Sequence, residues 1–334
     1  MALQRRGSFA WVSASLSAIT LAAVSAQSLV AQETSGGATL TSGVSYSSNR
    51  GGLAFIGLEA ANLFNTGTKV KLRFEKGEDG EAALASVGKI FELGDTRLGR
   101  NTYVIGSLEG GSEDWASDEF ASASTSADLR VGAEIGQNLS YQARLFWRQD
   151  DLKRFAASVS PLVLAEPRKS TAAGIGFGLD WSSLDQSVLP NSGSRYSLDV
   201  AWATGAGDRE WVSLAASAST ARPLGERAVL SFSAEGGHIA GLNGDSVSIV
   251  DRAFVGNPMP RGFAAGGLGP RDFVAGPGGT DTALGGNSYL TMSVETRFRT
   301  ANPNLQIGAF VDAGAVWDLD TTTGAASGTI DDSF

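Results

Sequence analysis

The sequence has no cysteine and a single histidine, His238. The first absence excludes a disulfide framework, a thiolate-ligated zinc or iron–sulfur site and a thiol nucleophile. The second excludes a histidine-rich metal site and forces any Ser-His-Asp arrangement through one residue. Basic residues are also short: 26 Lys and Arg stand against 35 Asp and Glu, for a net charge of −9. Nucleic acid as a main partner needs a basic face, so none is expected. Charged residues make up only 18% of the chain and proline only 9 positions. Beyond the first thirty residues no apolar run is long enough for a membrane helix. A mean hydropathy of −0.02 fits neither a helical membrane protein nor a disordered acidic chain. Glycine is what the chain has in excess, 43 of 334 residues, well above the roughly 7% norm. With few prolines and scattered aromatics, this composition suits many strands and turns.

Residues 1–31 read as a secretory leader. Arg5 and Arg6 form a positive start, and Phe9 to Val24 is an apolar stretch. Val24-Ser25-Ala26 and Leu29-Val30-Ala31 both end on the small residue that cleavage requires. An exported chain without a membrane helix can span a membrane only as a barrel.

The rest of the chain alternates. Val70, Leu72 and Phe74 are interleaved with Lys69, Lys71, Arg73 and Glu75. Leu129, Val131, Ala133 and Ile135 alternate with Asp128, Arg130, Gly132 and Glu134. The same pattern runs through Tyr141 to Trp147, Ile175 to Trp181 and Tyr196 to Trp202. Period two sends each set to opposite faces of a sheet. The segments are about ten residues long, which is the length of a tilted membrane strand. Trp147, Trp181, Trp202 and Trp317 fall at segment ends, as an aromatic girdle requires. The expected fold is therefore all-β, an antiparallel transmembrane β-barrel occupying residues 38–334. Thirteen strands are expected, at 38–48, 53–63, 66–77, 81–92, 101–111, 125–136, 139–149, 171–181, 194–204, 209–221, 227–238, 287–298 and 305–317. Residues 112–124, 150–170, 182–193 and 239–286 are the long connections, expected on the extracellular side. Asn65-Thr66-Gly67 and Gln137-Asn138 read as tight periplasmic turns.

The connection 239–286 is far longer than an ordinary loop. It is rich in Gly and Pro, yet carries Arg261-Gly262-Phe263 and Gly269-Pro270-Arg271. Strand parity supplies the arginine with partners. In 287–298 the apolar set is Leu290, Met292, Val294 and Phe298, so Glu295 faces the lumen. In 305–317 the outward set runs from Leu305 to Trp317 on odd positions, so Phe310, Asp312 and Gly314 face inward. A loop folded into the lumen could set Arg261 against Asp312 and Glu295, and an Arg–carboxylate pair is geometrically specific.

These motifs resemble those of the BamA/TamA barrel family, also called the bacterial surface antigen family. The resemblance rests on Arg261-Gly262-Phe263, Gly269-Pro270-Arg271, Leu284-Gly285-Gly286-Asn287, Glu295-Thr296-Arg297-Phe298 and the run Phe310-Val311-Asp312-Ala313-Gly314-Ala315-Val316-Trp317. Tyr46-Ser47-Ser48, Asn62 to Gly67 and Leu189 to Arg195 add to it, and it covers about residues 38–320. It implies a sixteen-strand barrel in which Arg261 is the loop-lock residue and Asp312 its partner, with Glu295 as a second. It implies a role in inserting or exporting outer-membrane proteins, with the outer membrane of a Gram-negative bacterium as the location. Outer-membrane lipid and unfolded clients are then the expected partners.

Three departures from the family pattern bear on that role. Pro260 stands where the family has an apolar residue before the arginine. The stretch between leader and first strand is too short for POTRA domains, so a separate POTRA-bearing or assembly partner is expected. Thirteen strands of sixteen indicate a truncated record or a gene broken near its end.

Two other functional readings follow from the residues. A passive channel would use Lys69, Lys71, Arg73, Arg130, Arg144 and Arg148 to set ion preference. A hydrolase would need His238 bonded to a serine, with Ser231 and Ser233 nearby in sequence, and to a carboxylate. No Gly-x-Ser-x-Gly motif is present, so an enzyme is not expected. No cofactor or metal is expected either: Gly276 to Gly279 followed by Asp281 offers one carboxylate, too few for a cation.

Overall fold

The computed structural model describes residues 29–35, 38–47, 51–63, 66–77, 80–91, 99–115, 119–187, 189–256, 259–264, 266–273, 279, 281–300, 305–320 and 330–331. Residues 1–28 of the expected leader and Gly276 to Gly278 lie outside these.

Each alternating segment forms a strand. In chain order they are β1 (Leu29–Ser35), β2 (Ala38–Ser47), β3 (Gly51–Leu63), β4 (Thr68–Gly77), β5 (Gly80–Phe91) and β6 (Arg100–Trp115). Next come β7 (Phe120–Ile135), β8 (Leu139–Lys153), β9 (Lys169–Ser182), β10 (Gly193–Thr204), β11 (Trp211–Leu224) and β12 (Ala228–Gly241). The chain continues with β13 (Arg271–Phe273), β14 (Asp281–Ala283), β15 (Ser288–Arg299), β16 (Gln306–Trp317) and β17 (Ile330–Asp331). One antiparallel sheet of 14 strands runs from β1 to β12 and on through β15 and β16. The thirteen strands read from alternation are all in it. The fourteenth is β1, which pairs with β2 from Leu29↔Val44 to Ser35↔Ala38. It includes residues 29–31, read from sequence as the end of the leader.

The side-chain period decides what faces lipid. Val311 is 74% exposed, whereas the side chain of its neighbour Asp312 is 3% exposed. Leu72 and Phe74, Ile175 and Phe177, and Leu198 and Val200 stand on the same outer face as Val311. Outer-face apolar residues gain by contact with lipid tails, and each strand between β1 and β16 has its backbone groups paired with a neighbour on both sides. Trp147, Trp202 and Trp317 are exposed towards one end of the wall, and Trp181 packs on Tyr196, ring centroids 5.6 Å apart, at the other. Among the described residues no helix is long and apolar enough to cross a membrane.

Antiparallel neighbours force connections to alternate between the two ends. The connection 183–192 therefore lies at the same end as the tight turn 136–138, and the Ser182 amide donates to the Asn138 carbonyl there. This corrects its expected extracellular placement; length suggested one end, but strand direction fixes the other. Its carbonyl at Pro190 accepts from Arg297 and the Asn191 side chain from Arg299, so it leans across to the base of β15. The connections expected at 112–124 and 150–170 are shorter than they looked, because β6, β7 and β8 extend beyond the membrane-length segments.

At the opposite end, 242–287 and the loop after β8 fold together into a cap. The latter loop contains α1 (Pro161–Ala165), begun by the Ser160 hydroxyl accepting from the Leu162 amide and by proline at the first turn. Phe120, Leu152, Val159, Val163, Ile249, Val250 and Leu284 form a buried cluster between them. Each such side chain contributes roughly 1.5–3 kcal/mol on burial, so the long loop has a core of its own. β13, β14 and β17 make a small second sheet in the same region.

Candidate functional site

The site is built where the long loop meets β15 and β16. Register sets Ser293 opposite Asp312 and Glu295 opposite Phe310. Period two puts these four on one face, so they form a polar patch with one aromatic on the inner wall.

The loop delivers Arg261 to this patch. Its guanidinium forks onto Asp312, Nε to Oδ2 at 2.7 Å and Nη2 to Oδ1 at 2.8 Å. Nη1 donates to Glu295 at 2.7 Å and Nη2 also to Ser293 Oγ at 3.0 Å. The Arg261 amide adds a bond to Asp312 Oδ2 at 2.9 Å, and Ser293 Oγ donates to Asp312 Oδ1 at 2.7 Å. Each carboxylate oxygen of Asp312 thus accepts two hydrogen bonds, close to its full capacity. Three of those four come from the loop residue. The guanidinium carbon also lies 3.4 Å from the centroid of the Phe310 ring, a cation–π stack suited to arginine's planar head. The hydrogen bond to Asp312 and the one to Glu295 outweigh burial and raise the guanidinium's basicity further.

The backbone around Arg261 fits this approach. Gly262 has φ of +91°, a left-handed conformation that turns the chain directly after the arginine. Gly314 lies under the loop tip: a Cβ there would come within 3.0 Å of Pro260 and 3.2 Å of Leu268. Phe263 is 43% exposed and stands outside this contact set.

A second charged group holds the root of the loop, and no sequence pattern pointed to it. Arg209 donates to Asp251 at 2.8 Å and to Asp150 at 2.6 Å. Arg148 also meets Asp150, at 2.6 and 2.9 Å, and the Val250 carbonyl at 3.3 Å. The Asp150 and Asp251 side chains are 1% and 4% exposed. Burial pushes the Asp251 carboxyl above its usual range, against the pull of Arg209. Arg252 reaches Glu166, which also accepts from Ser248 at 2.9 Å and the Ile249 amide at 3.1 Å.

The remaining candidates are placed as follows. Lumenal arginines pair with lumenal acids: Arg73 with Glu75, Arg130 with Asp128 at 3.8 Å, Arg144 with Asp199 at 3.1 Å. His238 Nδ1 lies 2.7 Å from Ser288 Oγ and 3.6 Å from Asp318. Both partners meet the same ring nitrogen, whereas a triad uses the two nitrogens separately. Neither Ser231 nor Ser233 is that serine.

A family model, the Omp85 superfamily domain, matches residues 62–333. The chain belongs to the Omp85 superfamily. It is 24% identical over 270 residues to the outer membrane protein assembly factor BamA of Neorickettsia risticii (strain Illinois), a match covering 80% of this chain and 33% of that protein. The chain thus spans about a third of the length of that relative. Among solved structures, BamA from Haemophilus ducreyi lacking POTRA domains 1–3 superposes with a TM-score of 0.74 at 17% identity, over 87% of this chain and 63% of that one. CdiB from Acinetobacter baumannii gives 0.53 at 15% identity, over 87% and 51%. These two likenesses establish a shared barrel fold. In this Omp85 barrel the long connection is the sixth at its end of the sheet, counting 48–50, 78–79, 116–119, 154–168 and 205–210 before it.

Proposed function

We propose that the chain is the membrane part of an Omp85 protein that helps other outer-membrane proteins insert, or moves polypeptide across the outer membrane. The observation that carries this reading is the Arg261–Asp312–Glu295 contact in the long loop of an Omp85 barrel. It supports a role for Arg261 as a lock, because Asp312 keeps three of its four hydrogen bonds only while the loop is docked. The relative from N. risticii is named as an assembly factor for outer membrane proteins, which supports the same direction. A leader within residues 1–31, cut at the first of its two sites, after Ala26, so that β1 stays whole, a Gram-negative outer-membrane location, unfolded clients and a separate POTRA-bearing or assembly chain belong to this proposal.

A client strand adds to an unpaired edge, and alternation alone makes residues 38–48 the first strand and so an edge. They form β2, which is hydrogen-bonded to β1 on one side and β3 on the other. Strand addition would therefore take place at β1.

The alternative is a passive channel. The capped end and the paired lumenal arginines weigh against a fixed ion-selective pore. Planar-bilayer recording of the full chain separates the two. Brief, unsteady, low-conductance events fit the locked barrel, and a stable large conductance would reject it in favour of the channel.

A further inference from the structure

Two buried carboxylates in the cap form no ion pair among the described residues. Asp272, on β13, is 3% exposed, and Glu119, at the start of β7, is 8% exposed. Ser160 and Thr282 stand between them. The Ser160 hydroxyl donates to Asp272 Oδ2, the Ser160 amide donates to Thr282 Oγ1 at 3.0 Å, and that hydroxyl donates to Glu119. Ser158 adds a long contact to Glu119 at 3.5 Å. Among the described residues neither carboxylate forms an ion pair. Asp272 Oδ1 is buried with no hydrogen-bond partner. Asp281, the carboxylate that the sequence offered, is turned away and held by Arg271 at 2.6 Å.

The surroundings make this costly. Among the described residues only neutral hydroxyls meet these two side chains, Ser160 at Asp272 and Thr282 and Ser158 at Glu119. An ionised carboxylate in such a place costs several kcal/mol unless a positive charge or a proton meets it. A divalent cation would balance both charges and use the open Asp272 oxygen. The donors are all oxygen, from carboxylates and hydroxyls, which selects hard cations. They come from three separate loops in no regular pattern. Ca²⁺ accepts such irregular oxygen sets, whereas Mg²⁺ demands a near-ideal octahedron.

We infer that Glu119 and Asp272, with Thr282 and Ser160 beside them, form a calcium site that clasps the loop before β7, the loop carrying α1 and the long loop into one cap. Calcium alone, in equilibrium dialysis against the full chain in detergent micelles, should bind at one ion per chain. Protease cleavage of the cap should slow with added Ca²⁺ and recover with chelator. An ion held at about a hundred times its Kd lowers the opened population roughly 100-fold. The paired variant Glu119→Gln with Asp272→Asn should lose both the stoichiometric binding and the calcium effect. No calcium binding by the wild type would overturn the assignment, whether or not the variant folds. So would an equal calcium response in the variant, or closure of the cap by acidification alone with no response to calcium.

Discussion

Replacing Arg261 by alanine should undock the tip of the long loop while leaving its root in place. The change removes four guanidinium hydrogen bonds and leaves Asp312, with a side chain 3% exposed, as a buried charge missing its main partner. Breaking a buried pair from one side costs about 3–5 kcal/mol. Arg261 itself retains 26% exposure, and Ser293 stays on Asp312, so the lower end applies, about 3 kcal/mol. At 1.4 kcal/mol per factor of ten, the undocked fraction should rise roughly 100-fold. Hydrogen exchange reads this directly at the Arg261 amide, which is bonded across the contact to Asp312, while the Gly267 and Leu268 amides, bonded within the loop to Ala264 and Val255, report whether the tip keeps its own fold. Residues 247–252 should stay protected, held by Arg209, Asp150 and Glu166. Arg261→Lys keeps the charge but loses the fork and the stack on Phe310, and should fall between, at roughly tenfold. In a cycle with Asp312→Asn, the double variant should exchange little faster than Asp312→Asn alone. Exchange of the tip in Arg261→Ala within about threefold of wild type would refute the reasoning.

Other outcomes follow from the same contacts. Arg209→Ala strands Asp251 in the cap and should lower the temperature at which the folded band is lost on unboiled gels, with a cost of about 3–5 kcal/mol; an unchanged temperature would contradict the buried pairing. Gly314→Val pushes a branched side chain into Pro260 and Leu268, so tip amides should exchange faster, reflecting about 1–3 kcal/mol of overpacking. The hydroxyl and amide of Thr171 donate to Asp208 and hold its carboxyl below the usual carboxylate range. A depressed pKa means that this contact stabilises the fold above the unfolded value, about 3.9, and is lost as pH falls through the folded one. Protection of the Asp208 and Thr171 amides, taken relative to the intrinsic exchange rate at each pH, should therefore fall only in acid, and Asp208→Asn should flatten that dependence.

How much of this was legible from sequence depends on the range of the interaction. Alternation is local, so Leu72 and Phe74 or Ile175 and Phe177 declare a lipid face without any knowledge of their neighbours. Parity then carries one step further: it turns Glu295, Asp312 and Phe310 to the same side of adjacent strands. The cap is different. Asp150, Arg209 and Asp251 come from a strand and two separate loops and have no spacing to betray them. The same holds for Phe120, Leu152 and Ile249, which become a core only once the loops fold over each other. Length misled at 183–192, where strand direction places the connection. A usable signal was overlooked at Ser160-Pro161, a helix start followed by Leu-Val-Leu. Another was at Leu29–Ser35, whose apolar beginning resembles the end of a leader as much as a strand.

The proposal stands or falls on whether the barrel acts on other proteins. The most direct test is the rate at which a urea-unfolded outer-membrane barrel folds into liposomes containing the full chain, its Arg261→Ala variant, or no protein. The account predicts faster folding with the wild type than with empty liposomes, and a loss of most of that gain with Arg261→Ala. Equal rates in all three would contradict it.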